Sequence, residues 1–102
     1  MRIRYASRAL EKLCTDEQEM VKRRADVADK LKVRVNALYE ANDFSDLQKI
    51  DPLGRWHALH KDLAGAWAGH LSRNWRLLVK PEGGGPIEET DAATLLGLDD
   101  YH

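Results

Sequence analysis

The stretch Ala66-Trp67-Ala68-Gly69-His70-Leu71-Ser72-Arg73-Asn74-Trp75-Arg76-Leu77-Leu78-Val79-Lys80 decides the fold. Two runs with strand character flank three turn-forming residues, Ser72-Arg73-Asn74. The pattern predicts a β-hairpin with strands over 66–71 and 75–80. Successive side chains on a strand point to opposite faces, so Trp67, Gly69 and Leu71 share one face of the first strand. On the second, Trp75, Leu77 and Val79 share a face, and Arg76, Leu78 and Lys80 point the other way.

Upstream of the hairpin, Trp56-His57-Ala58-Leu59 is a further strand candidate, and Lys61-Asp62-Leu63-Ala64-Gly65 makes the turn that joins it. Downstream, Pro81-Glu82-Gly83-Gly84-Gly85-Pro86 is too broken by glycine and proline for regular structure. A final short strand is expected over 94–98, followed by Asp99-Asp100-Tyr101-His102. At the other end, Met1, Ile3 and Tyr5 alternate with Arg2 and Arg4, a strand pattern. Ser7 suits the cap of a short helix through Leu13. Thr15-Asp16-Glu17-Gln18 matches a capping box, with Thr15 at the cap and Gln18 three positions on. A long helix is predicted over 16–41. Its apolar stripe is Met20, Val27, Ala28, Leu31, Val35 and Leu38, with Arg24 at the edge, stem buried and head in water. Asn42 and Asp43 stop it, and a short helical turn over 45–49 ends at Asp51-Pro52.

Helices lead and strands follow, so the class is α+β: an N-terminal strand and two helices packed on a small antiparallel sheet of three to four further strands. One face of that sheet takes the long helix. The other is where chemistry would lie.

The chain has 102 residues, 43% of them hydrophobic and 32% charged, and one cysteine. That size and balance predict a single soluble globular domain over 1–102. No apolar run approaches the length of a membrane span, and Met1 to Tyr5 lacks the apolar stretch of a signal peptide, so the expected compartment is the cytoplasm. With Cys14 alone, neither an internal disulfide nor a multi-cysteine metal site is expected, and Cys14 is assigned to the core. The net charge of −1 conceals a split. Residues 1–80 carry all 16 Lys and Arg against 11 Asp and Glu, a formal +5. Residues 81–102 carry six acids and no base, −6. A mildly basic body suits a polyanion, although charges at this density also simply solvate a surface.

Three stretches resemble HigB-type toxins of the RelE superfamily, the plasmid maintenance killer proteins. They are Arg55-Trp56-His57-Ala58-Leu59-His60-Lys61-Asp62-Leu63-Ala64-Gly65-Ala66-Trp67, then Asn74-Trp75-Arg76-Leu77, then the closing Asp100-Tyr101-His102. The sequence departs from the family in two places. His60-Lys61 stands where the family has lysine then glycine, and the Gly83–Asp91 segment is longer and more acidic.

The resemblance implies the toxin of a type II toxin–antitoxin pair. Such a toxin is an endoribonuclease that cuts messenger RNA in the ribosome and so inhibits translation. Its implied partners are a helix-turn-helix antitoxin, the ribosome and mRNA; no cofactor, metal or membrane is implied. Cleavage of this kind uses the ribose 2′-hydroxyl as nucleophile. It needs a proton acceptor, a cation at the phosphate and a donor for the leaving oxygen. His57 and His102 exchange protons near neutral pH. Arg76 offers a planar fork of donors to phosphate oxygens. Asp100 suits a base or an orienting group, and Tyr101 stacking or hydrogen bonding. His60, Lys61 and Arg73 are the candidate RNA-binding cations.

Each residue also has a plainer reading. Arg76 suits a solvated strand position or an ion pair with Asp62. His57 and His60, three apart on a strand with His102 remote, are poorly spaced for a metal. His70 is expected to be ordinary, and Trp56, Trp67 and Trp75 to be core. The acidic segment fits a solvated loop. Two rival functions are a non-cleaving toxin-fold protein acting as an antitoxin's regulatory partner, and a nucleic-acid-binding surface on the lysine- and arginine-rich helix.

Overall fold

The computed structural model describes residues 1–101. Strand β1 (Arg2–Tyr5) leads into helix α1 (Arg8–Thr15), capped by Ser7, whose hydroxyl accepts from the Leu10 amide at 3.1 Å. Helices α2 (Glu17–Arg24), α3 (Ala28–Glu40) and α4 (Phe44–Ile50) follow. Strands β2 (His57–Ala58), β3 (Trp67–His70), β4 (Trp75–Pro81) and β5 (Ala92–Asp100) complete the chain.

The five strands form one sheet in the order β1-β5-β4-β3-β2. Strands β2 to β5 pair antiparallel, as expected for short connections. Strand β1 is not packed on this sheet but belongs to it: it runs parallel to β5, with Arg4 opposite Thr94. The helices between β1 and β5 provide the long crossover that a parallel pair requires.

The helix expected over 16–41 is two helices. The break lies at Ala25-Asp26-Val27, and its cause is visible in the side chains. Arg24 binds Asp26 through two nitrogens, at 3.2 and 3.0 Å. Residues two apart point away from each other on a helix, so this pair forms only where the helix stops. The chain then reverses: Lys32 of α3 pairs with Glu17 of α2, which a continuous helix would hold about 22 Å apart. The α2 cap is Asp16, not Thr15; its carboxylate accepts from the Gln18 and Glu19 amides. The stripe itself holds, since Met20, Val27, Ala28, Leu31, Val35 and Leu38 are all buried. Arg24 is half-buried with its guanidinium 4.1 Å above the Trp75 ring.

The core lies between the helices and one face of the sheet, and it takes Leu77, Val79, Ala93 and Leu95 from the strands and Leu71 from just beyond β3. Trp67 meets Phe44 edge-on at 5.2 Å. Trp56 lies flat against Gly69: a Cβ there would come within 2.6–2.7 Å of the indole. The indole N–H donates to Asp51 at 3.0 Å. Arg34 donates to the same carboxylate at 2.9 Å and to the His70 carbonyl at 2.7 Å. This buried pair, 3% and 7% exposed, ties α3 to the end of α4 and the end of β3. Cys14 is buried as expected, and loss of hydration pushes its thiol up to about 11.

Strand β5 is longer than the sequence suggested, running through Asp99 and Asp100, and Leu96 is an extra residue on it. Leu78 pairs with Gly97 while Val79 pairs with Leu95, a β-bulge. Gly97 has φ +152°, a conformation that side chains resist, and open space where a Cβ would stand.

Candidate functional site: the second face of the sheet

The register fixes which residues share the face away from the core. Arg76 sits in the middle of a cross-strand row, with His70 on β3 to one side and Asp99 on β5 to the other. The next row holds His57, Ala68, Leu78 and Gly97. Ala68 and Leu78 are buried without belonging to the main core, and they floor the space between His57 and Arg76. Those two positions lie about 10 Å apart across the sheet and about 7 Å apart along it, by ordinary strand spacing.

Arg76 is not paired with Asp62. Its Nε donates to Asp99 Oδ2 at 2.8 Å, and a terminal nitrogen lies 2.7 Å from the same oxygen. The opposite face of the guanidinium region meets Tyr101, whose ring centroid is 5.0 Å from Cζ. Tyr101 is held there by backbone: its amide donates to the Asn74 carbonyl at 2.9 Å. Tyr101 therefore lies against the turn of the β3–β4 hairpin.

His57 is exposed on the short strand β2. Its Nδ1 lies 2.7 Å from the Arg55 carbonyl. A carbonyl only accepts, so Nδ1 carries the proton and the lone pair of a neutral ring sits on Nε2. Arg55 has φ +48°, a left-handed residue just before the strand. His60 and Lys61 are exposed and lie beyond β2, where the chain turns into a 3-10 segment, Lys61–Leu63. Lys61 has φ +59°. Arg73 is exposed in the hairpin turn.

The candidates thus separate. Arg76 and Tyr101 are in contact, and His57 faces the same side one row away. Asp100 pairs by register with Trp75, which puts it on the alternate position to Asp99 along β5. His102 lies outside the described residues. Two residues at Arg76 were not singled out by sequence reasoning, Asp99 and His70. Asp99 was hidden in the presumed tail, and only its register on β5 identifies it. The His70 imidazole is held below its ordinary value, first by burial, then by Arg55, Arg34 and Lys30. It shares a cross-strand row with Arg76, while the charges that act on its ring are those of Arg55, Arg34 and Lys30.

No family model and no curated protein sequence matches this chain. Solved structures do match. One is a YoeB/ParE toxin from Agrobacterium tumefaciens, 15% identical, with a TM-score of 0.56 over 100% of both chains. Another is YafQ from E. coli strain BL21(DE3), 17% identical, with a TM-score of 0.61 over 99% of this chain and 94% of that one. The toxin–antitoxin complex RelBE2 from Mycobacterium tuberculosis is 18% identical, with a TM-score of 0.50 over 98% and 96%. The chain has a RelE-like toxin fold. At these identities the likeness is one of fold. Within this RelE-like fold, the face that carries Arg76 offers a cation with forked donors, an aromatic ring and two imidazoles, a set suited to a phosphodiester and its base.

Proposed function

We propose that this chain is the toxin of a type II toxin–antitoxin system, a HigB-like endoribonuclease that cuts messenger RNA on the ribosome. The observation that carries the reading is the contact of Arg76 with Tyr101 on the sheet face that also bears His57. A phosphate binds the Arg76 fork, which takes up the charge that grows on the phosphorane. His57 Nε2 accepts the proton of the ribose 2′-hydroxyl as it attacks the adjacent phosphorus. The P–O5′ bond breaks, and His102 gives its proton to the leaving oxygen. Tyr101 stacks on a flanking base. Asp100 orients the C-terminal imidazole, and His60, Lys61 and Arg73 hold the RNA backbone through its charge. No metal takes part in this route. The protein partner is an antitoxin, a proposal supported by the likeness to a toxin–antitoxin complex, and the resemblance to HigB-type toxins makes it a helix-turn-helix protein.

The test is expression in growing bacteria. The wild-type chain should arrest growth and leave messages cut within codons, and co-expression of the antitoxin should relieve the arrest. Arg76→Ala and His57→Ala, still folded, should abolish both effects.

One observation favours a second reading. Asp99 already occupies Arg76 through a single oxygen at 2.7 and 2.8 Å, which offsets the charge that would recruit a phosphate. On this reading the chain is a non-cleaving toxin-fold protein that serves as the antitoxin's regulatory partner. Tight antitoxin binding with no growth arrest at high expression distinguishes it.

A further inference from the structure

We propose that Arg4 and Lys80, either side of Thr94 at the far end of the same sheet face, form a second phosphate-contacting site that lengthens the RNA track beyond Arg76. The inference rests on the reading that this face takes RNA.

The register places the three residues in one row across β1, β5 and β4: Arg4 opposite Thr94, and Thr94 opposite Lys80. Strand β4 is regular between Arg76 and Lys80, so the two cations share a face, about 13 Å apart along the strand. At a stacked rise of about 3.4 Å per nucleotide, that separation spans about four nucleotides. Between them β5 carries Gly97, with nothing within 4 Å of its missing side chain, and the exposed bulge residue Leu96. Arg4 and Lys80 are exposed, and neither has an ion-pair partner among the described residues.

The row borders a hollow of about 400 Å3 lined by Arg2, Arg4, Glu82, Gly83 and Thr94. Its charges are mixed, and the acidic groups explain which cations remain available. Asp91 holds Arg2 at 3.0 Å, and Glu82 accepts from the Thr94 hydroxyl at 3.3 Å. Asp91 thus neutralises Arg2, and Glu82 places one carboxylate in the row and offsets part of its charge, while Arg4 and Lys80 keep a net positive balance there. Lys80, in line with Arg76 along β4, and Arg4, two strands across the sheet, suit a flexible phosphate chain rather than a single small anion.

The experiment is binding of single-stranded oligouridylate, blocked at the 2′-hydroxyl, to the full chain, read by fluorescence anisotropy across a salt series. Oligomers of about 2 and about 12 nucleotides separate one site from an extended track. The Arg4→Ala/Lys80→Ala variant should bind the longer oligomer about tenfold more weakly, with the salt slope reduced by about 1.4, two contacts at about 0.7 each. Its affinity for the short oligomer should be unchanged, and it should melt as the wild type does. Lys22→Ala/Lys30→Ala, which removes the same charge from the helical side, should bind both oligomers normally. Unchanged affinity for the longer oligomer, or an equal loss in the helical-side variant, overturns the inference. If Arg76→Ala alone loses both oligomers, the site at Arg76 survives and only the extension fails. Absence of any binding by the wild-type chain overturns both.

Discussion

Asp99 Oδ2 lies 2.8 Å from Nε and 2.7 Å from a terminal nitrogen of Arg76, across the β4–β5 pair. A single carboxylate oxygen therefore occupies one side of the guanidinium, while Tyr101 covers another. Arg76 is 17% and Asp99 33% exposed, so the pair is partly screened and its net contribution to stability is modest. Its effect on ligand charge is larger. Asp99→Asn keeps the shape and removes the competing anion. It should strengthen binding of single-stranded RNA severalfold, measured by anisotropy, at a stability cost within about 1 kcal/mol. Weaker binding in that variant would show instead that Asp99 orients Arg76 for its ligand.

How much of this was legible in the sequence depends on the range of the interaction. The hairpin was legible because period-two alternation and turn chemistry are local, and the faces of Trp67, Trp75, Leu77 and Val79 came with it. The buried stripe of Met20 to Leu38 was legible for the same reason. The helix break was not, since a spacing of three and four continues through 24, 27 and 28, and the Arg24–Asp26 pair competes with it only in three dimensions. The parallel pairing of β1 with β5 joins residues 90 positions apart, and nothing local encodes it. At the candidate site, Arg76, His57 and Tyr101 were proposed from the resemblance. Asp99 and His70 were missed because their relation to Arg76 is purely one of register.

The Arg34–Asp51 pair is buried, with the Trp56 indole and the His70 carbonyl as its further partners. Arg34→Met leaves the Asp51 carboxylate without its cation in a dry interior. The expected loss is about 3–5 kcal/mol, read from the urea midpoint. Arg2→Ala, which removes a solvent-exposed ion pair with Asp91, should leave that midpoint nearly unchanged. Equal effects in the two variants would contradict the assignment of a structural role to Arg34.

Gly69→Ala drives a methyl group into the Trp56 ring, within 2.6–2.7 Å of three of its carbons. The indole must move, and its bond to Asp51 with it. The cost should be about 1–3 kcal/mol, with a red shift in tryptophan emission. Because His57 follows Trp56 directly, the same variant should lower RNA cleavage more than its stability loss alone explains. An unshifted emission spectrum would mean that the neighbouring strand gives way instead.

The depressed His70 value sets a pH dependence. The unfolded chain takes up a proton near the ordinary 6.5, and the folded chain only at lower pH. The contribution to stability is therefore full above about 6.5 and is lost as pH falls toward the folded-state value. Between about pH 7.5 and about pH 5.5, the wild type should lose more stability than His70→Gln, measured by urea unfolding at each pH. Parallel losses in the two proteins would contradict it.

The central claim is that Arg76 and the C-terminal Tyr101-His102 act together on RNA at the second face of the sheet. Mapping message ends in a translating extract tests it most directly, with three proteins: wild type, Arg76→Ala, and a chain lacking Tyr101-His102, each verified as folded by circular dichroism. The account predicts fresh ends bearing a 2′,3′-cyclic phosphate with the wild type and none with either variant. Intact messages with the wild type, or full cutting by the shortened chain, would contradict it.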